Sequence, residues 1–280
     1  MDRPRRVRLA TELDERAAEI LAGRLEPAEP RDAATVVLLA DGAAGPRAYL
    51  LRRAATMPFA AGFHVFPGGR VDPRDAESAP RWAGPPPRWW AEALGADPAL
   101  ARALVCAAVR ETFEETGVLL AGPDTRSVVA DTRGDDWEAD RRALEDHSQS
   151  LAAFLDRRGL VLRSDLLAPW ARWITPAVEP RRYDTRFFAA ALPQGQRTRL
   201  VGGEADHGEW LDADAAVAAW REGRLPMLPP TVTTLRQVAR SRTVADVLAR
   251  PRTVVPIEPK IVLIDGEPHI VPHGEVEYPA

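Results

Sequence analysis

The stretch Leu104 to Val118, LVCAAVRETFEETGV, permits few local structures. Ahead of it, Asp97 suits a helix N-cap and Pro98 the first helical position. Gly117 supplies a stop, because the residue after a helix often takes the left-handed conformation. Val105, Val109, Thr112 and Thr116 recur at helical spacing and are expected to face a core. Glu111, Glu114 and Glu115 stand at i, i+3 and i+4, so they share a different face. Three carboxylates on one face repel one another, and a helix gains nothing from that unless a cation offsets it. Hard oxygen ligands of this kind suit Mg²⁺ or Mn²⁺. An exposed acidic face is the other meaning of such a cluster, and the helix alone does not separate the two.

A second feature lies upstream. Phe66-Pro67-Gly68-Gly69-Arg70-Val71-Asp72 is a tight Gly-rich turn closing an apolar segment. Together with the helix it resembles the Nudix box, G-x5-E-x7-R-E-U-x-E-E-x-G-U with U aliphatic. Gly69 opens the pattern and Asp75 stands where its first Glu belongs. Arg110, Glu111, Glu114, Glu115, Gly117 and Val118 match the remainder, with Thr112 at the first U. The family places the Arg fourteen positions after the Gly; here it follows by 41, so 27 residues are inserted. An interrupted box resembles the branch that includes the mammalian peroxisomal coenzyme A diphosphatases.

Tyr49 to Gly69, YLLRRAATMPFAAGFHVFPGG, is similar to the signature LLxxR(S/A)xxxRxxxGxxxFPGG that precedes the box in Nudix enzymes cleaving coenzyme A. Gly62, Ala54 and Arg53 match, with Leu50 at the second Leu. Tyr49 replaces the first Leu, and Pro58 stands where the second Arg belongs. Tyr49 and Leu50 also read simply as strand residues and Gly62 as a turn.

Around these motifs the chain alternates strands and helices. Residues 1–33 are charged, with a helical pattern from Thr11 to Leu25. Ala34 to Ala40 and Arg47 to Arg53 read as strands about the turn Asp41-Gly42. The insert, Ala76 to Ala96, holds Pro85-Pro86-Pro87 and Trp82, Trp89 and Trp90. It reads as a loop with a short helical turn, its aromatics packing the loop down rather than stacking on a substrate base. Val118 to Leu120 should begin a strand. Asp135 to Arg158 reads as one helix ended by Gly159, its charges forming a solvated face. Ala168 to Thr175 and Arg186 to Leu192 read as strands, and Gly202 to Leu211 as a polar loop running into a short one. Helices follow, one capped by Asp212, one beginning at Pro230 and one over Thr243 to Ala249. Asp265-Gly266 marks a hairpin.

Composition excludes several classes. A net charge of −4 argues against a nucleic-acid-coating protein. The single cysteine, Cys106, excludes an intrachain disulfide and reads as a small buried hydrophobe. No apolar run approaches the roughly 20 residues of a membrane span. The arginines of MDRPRRVRLATELDE are not followed by an apolar stretch, and EVEYPA carries no peroxisomal tripeptide. A cytoplasmic monomer or homodimer, bound to neither membrane nor nucleic acid, is expected.

The resemblance implies an α/β fold, the Nudix-type α/β/α sandwich with a mixed sheet, elaborated by an insert in the Nudix box and by C-terminal helices. It covers roughly residues 34–240, with 1–33 as an N-terminal extension and 241–280 as a C-terminal extension packed on the domain. It implies metal-dependent hydrolysis of a diphosphate linkage in a nucleoside diphosphate joined to another moiety. Coenzyme A or acyl-coenzyme A is the substrate that the interrupted box suggests. Mg²⁺ or Mn²⁺ would be held by Glu111, Glu114 and Glu115, with a backbone carbonyl of Gly68 or Gly69 and a Glu from a later loop. Glu204 fits that last place better than Glu209. Arg110 would orient a carboxylate by an ion pair. Glu111 and Glu204 are both candidates for the general base. Arg53, Arg181, Arg182 and Arg186 are candidates for the phosphates, because Arg forks match phosphate oxygens; surface charge is the other reading of each. A Nudix-like module that binds a nucleotide as a sensor, without hydrolysis, is the alternative, although a pure binder has no need of three crowded carboxylates.

Overall fold

The computed structural model describes residues 7–8, 11–57, 60–77, 79–264 and 267–271. A mixed eight-stranded sheet forms the middle layer. From one edge its strands run Ala205–Asp212, Pro46–Arg53, Arg31–Asp41, Tyr183–Ala191, Ala168–Ile174 and Pro256–Ile257. Two short strands join it, His64–Val65 beside Pro46–Arg53 and Gly68–Arg70 beside Arg31–Asp41. Tyr183–Ala191 runs parallel to Arg31–Asp41, and Pro256–Ile257 parallel to Ala168–Ile174; the other pairs are antiparallel.

The central strand is buried on both faces, which is why Ala33 to Leu39 is a continuous run of small and apolar residues. Its side chains alternate between two cores. Val36 and Leu38 join the core beneath the long helix Pro98–Thr116, while Val37 and Leu39 join the opposite one. That second core is closed by residues of Thr11–Leu21, Ala213–Arg221, Pro229–Val238 and Val244–Ala249. The result is the expected three-layer α/β/α arrangement. Among the described residues no helix is long and apolar enough to cross a membrane.

Several local expectations need correction. The segment 135–158 is two helices, Asp135–Glu145 and Leu151–Arg157. The break is built from turn chemistry. His147 takes a left-handed φ of 63°, the Ser148 N–H donates to Asp146, and Ser150 caps the second helix by accepting from the Ala153 N–H. Nor is its charged face simply solvated, since Asp140 and Arg141 are buried. Val118 to Leu120 is not a strand; Ala121–Gly122 is, in a small separate sheet with Trp82–Ala83 and Val161–Arg163. The strand Ala205–Asp212 takes up most of what reads as a polar loop. Asp212 occupies the N-cap position of the next helix without a side-chain cap bond. The insert contains a full helix, Pro87–Leu94, with Trp90 wholly buried against Phe188. The arms of the C-terminal hairpin, Lys260–Ile264 and Glu267–Val271, pair as expected; Asp265-Gly266 lies outside the described residues, as does Pro58.

Candidate active site

The long helix is set by its own ends. The Asp97 carboxylate accepts from the Ala99 and Leu100 N–H groups, Pro98 is the first helical residue, and Gly117 ends the helix at φ 71°. Val105, Val109, Thr112 and Thr116 are fully buried. The hydroxyls of Thr112 and Thr116 donate to carbonyls one turn back, so both polar groups are satisfied within the core. Cys106 is buried, and burial pushes its thiol up to about 12, which fits a packing role.

Arg110 organises the acidic face. Its guanidinium donates to Asp75 from Nη2 at 3.0 Å, to Glu111 from Nη1 at 2.8 Å and to Glu114 from Nη1 at 3.2 Å. Nη2 also reaches the Arg70 carbonyl at 2.8 Å. Asp75, in the short helix Pro73–Glu77, thus meets the long helix across the 27-residue insertion. One guanidinium faces three carboxylates here, and Glu115 adds a fourth nearby. Burial pushes the carboxyl pKa of Asp75, Glu111 and Glu115 above the ordinary carboxylate range, Glu115 well above it, and pushes that of Glu114 up to about 8. Repulsion adds to burial at each of them, from Asp72 at Asp75 and from within the group at the three glutamates.

The Gly-rich strand closes the site from the other side. The Gly68 N–H donates to Glu115 Oε2 at 2.8 Å. A Cβ on residue 69 would lie 2.5 Å from the Glu111 carboxyl carbon, so any side chain there must displace the Glu111 carboxylate. Register puts Gly69 opposite Ala34 and Gly68 opposite Thr35, which fixes both on the central strand.

Glu204 comes from the far edge. Its carbonyl accepts from the Ala54 N–H, and its exposed carboxylate lies 3.8 Å from Arg53. Its charge helps push Glu111 and Glu115 up, while that of Arg53 pulls Glu115 down, so all four groups share one electrostatic neighbourhood. Glu209 belongs to another cluster, with its Oε1 3.9 Å from His64 Nε2 and 3.5 Å from His207 Nε2. Arg181 is exposed. Arg182 is buried, donating to the Thr175 and Ala28 carbonyls and to Glu258. Arg186 is buried and bonded to Asp32 and the Asp184 carbonyl.

Two contributors carry no readable signal in the sequence. Arg141, 3% exposed, donates to the Glu114 carbonyl and to Glu138 and Glu145. The Arg199 guanidinium lies where a Cβ on Gly117 would be, 2.8 Å from it. Both place positive charge at the carbonyl end of the carboxylate helix, where the helix dipole favours it. Among the described residues no three His, Cys, Asp or Glu side chains are already gathered as a metal-holding group. Glu111 and Glu114 turn to Arg110 instead, and Glu115 to Gly68. The donors are nevertheless all hard oxygens, crowded, poorly solvated and short of positive charge, a set whose chemistry fits a divalent cation of the Mg²⁺ kind.

Known proteins resemble this chain in sequence and fold. A family model described as the NUDT19 Nudix domain matches residues 90–238. A crystal structure of a Nudix hydrolase from Alicyclobacillus acidocaldarius is 32% identical, with a TM-score of 0.70 over 81% of this chain and 99% of that one. The putative nudix hydrolase 7 of Caenorhabditis elegans is 27% identical over 75% of this chain and 61% of its own length. The acyl-coenzyme A diphosphatase NUDT19 of Gallus gallus is 28% identical over 71% of this chain and 65% of its own length. The match thus spans less than two thirds of either of these two relatives.

Proposed function

The chain belongs to the Nudix hydrolase family, in the group described by the NUDT19 Nudix domain, and from that membership we propose that it hydrolyses the diphosphate linkage of coenzyme A or an acyl-coenzyme A with divalent cations. The observation that carries the reading is the junction of the carboxylate helix with the Gly-rich strand, where Glu115 accepts from Gly68 and Glu111 fills the space a side chain at residue 69 would need. The acyl-coenzyme A diphosphatase among the relatives supports the substrate.

In this proposal Glu111, Glu114, Glu115 and Glu204, with the Gly69 carbonyl, hold Mg²⁺ or Mn²⁺, which supplies charge neutralisation and Lewis acidity at the diphosphate. Arg110 keeps Glu111 and Glu114 in place. Glu204 takes the proton of the attacking water, because Glu111 is already engaged by Arg110 while Glu204 is exposed and only loosely paired with Arg53. Arg53 and Arg181 meet the phosphates; Arg182, its donors already committed, supports the loop that carries Arg181. The hydrolase domain of this reading runs over 34–240, with the insert at about 76–96 and residues 241–280 as a C-terminal extension. It acts in the cytoplasm as a monomer or homodimer on a free small molecule.

The test is to compare kcat/KM for coenzyme A, dephospho-coenzyme A and NADH. Coenzyme A is expected to be the best of the three, giving 3′,5′-ADP and 4′-phosphopantetheine. Arg53→Ala should lower its kcat/KM by about ten- to a hundred-fold, the loss of a charged hydrogen bond. Indifference to the 3′-phosphate, with faster cleavage of NADH, would overturn the substrate assignment.

A further inference from the structure

Away from the carboxylate helix, the insert helix Pro87–Leu94 meets the segment Arg252 to Val254 across a cleft of about 330 Å³. Its lining includes Trp89, Glu92, Ala93 and Arg252. Trp89 is 43% exposed and stands edge-on to the buried Trp90, with ring centroids 4.9 Å apart. The insert therefore buries one indole as an anchor and leaves the next available to a partner. Arg252 lies over Trp170, its guanidinium carbon 3.2 Å from the ring centroid. One of its terminal nitrogens donates to Gln237, and Arg250 donates to Ser241. Both acceptors are neutral.

At this corner the Arg252 charge is met, among the described residues, by a ring and a neutral amide rather than by a carboxylate. Burial and then the charges of Arg250 and Arg240 push Arg252 down to about 10, and no carboxylate acts in the other direction. Among the described residues the buried Nε–H of Arg252 finds no partner. An anion beside Arg252 would relieve the first imbalance, and an aromatic ring would find a stacking face on Trp89. Glu92, exposed on the same helix, offers an acceptor to an exocyclic amine.

We propose that this cleft is a second ligand site, one that binds a purine nucleotide with its base on Trp89 and its phosphate on Arg252. It is separate from the hydrolytic centre. The sheet register runs from Gly69 through Ala34, Arg186 and Arg172 to Pro256, four inter-strand steps or on the order of 19 Å. Arg252 stands four residues before Pro256, whose edge strand lies at the opposite end of the sheet from the strand that Glu204 precedes. The site does not depend on the hydrolytic reading and survives its failure.

The experiment uses the full chain labelled with 5-fluorotryptophan, the Trp89 fluorine signal being assigned through Trp89→Phe. Titration with AMP should shift that signal saturably, and Arg252→Gln should weaken the apparent affinity by at least about tenfold, the cost of a charge-assisted hydrogen bond. Arg252→Lys, which keeps the charge, should retain part of the response and guards against a folding defect. Inorganic phosphate should leave the Trp89 signal in place. A signal that AMP does not move, a shift indifferent to Arg252→Gln, or an equal shift with phosphate alone would overturn the proposal.

Discussion

Arg110 is almost fully buried, yet its charge is well supported, because three carboxylates share it at 2.8 to 3.2 Å. Removing it leaves those carboxylates in a poorly solvated site without their partner. Arg110→Ala is expected to destabilise the fold by about 3–5 kcal/mol, read from urea denaturation at neutral pH. Arg110→Lys keeps the charge but loses the planar fork that reaches Asp75 and Glu111 together. It should stay folded and lose about ten- to a hundred-fold in kcat. A wild-type rate for the lysine variant would show that charge alone positions the carboxylates. At the edge of the sheet, Glu204→Gln should lower kcat more than Glu209→Gln, because Glu204 shares its field with Glu111 and Glu115 while Glu209 faces two histidines. A larger effect at Glu209 would move the proton acceptor to the other cluster.

At the scale of elements, the carboxylate helix and the Gly-rich strand work as a pair. Gly69→Ala drives a methyl group into the Glu111 carboxylate from 2.5 Å, so it should abolish most turnover while the distant core stays intact. Near-normal turnover would mean that Glu111 is free to move aside. The same crowding gives a pH signature. With the carboxyl groups of Glu111, Glu114 and Glu115 raised in the fold, the native state holds protons that the unfolded chain has released, so unfolding stability falls as pH rises. The contribution is complete below the ordinary Glu range, near pH 4, and is lost through the raised value of about 8 at Glu114. In EDTA the urea midpoint should therefore fall from about pH 6 to about pH 9, and Glu114→Gln should flatten that slope. A slope unchanged in the variant would place the titration elsewhere. The helix was legible from residues alone because its cap, its Pro start and its Gly stop are local signals. The break at Asp146 to Ser150 was not, since apolar periodicity persists across it and only the left-handed His147 and the Ser150 cap divide the segment. Arg141 escaped for a related reason: a charged residue in a charged helix reads as solvated, and its burial is decided by the neighbouring helix.

For the whole molecule, the three layers bring together residues far apart in the chain. Asp75 reaches Arg110 over the insert, and Glu204 returns just ahead of the edge strand Ala205–Asp212, which pairs with Pro46–Arg53. The sandwich and the box were readable because both halves of the motif, FPGG and RETFEETG, survive the insertion. The role of the insert was only partly readable, because proline content argues for loop while Pro86 and Pro87 in fact start a helix. Of its aromatics, Trp90 packs as expected and Trp89 does not. The phosphate arginines were the least readable, since an Arg looks the same in sequence whether it is committed to carbonyls, as Arg182 is, or exposed, as Arg181 is. All of these placements serve one claim, that the crowded carboxylates exist to bind a divalent cation and direct it at a diphosphate. The most direct test is Mg²⁺-dependent hydrolysis of coenzyme A by the wild-type chain and by Glu115→Gln at saturating metal. The expected result is a wild-type rate abolished by EDTA and reduced in the variant by about 10²–10³-fold, with the fold intact by circular dichroism. A Glu115→Gln rate within a few-fold of wild type, or a wild-type rate indifferent to EDTA, would contradict the account.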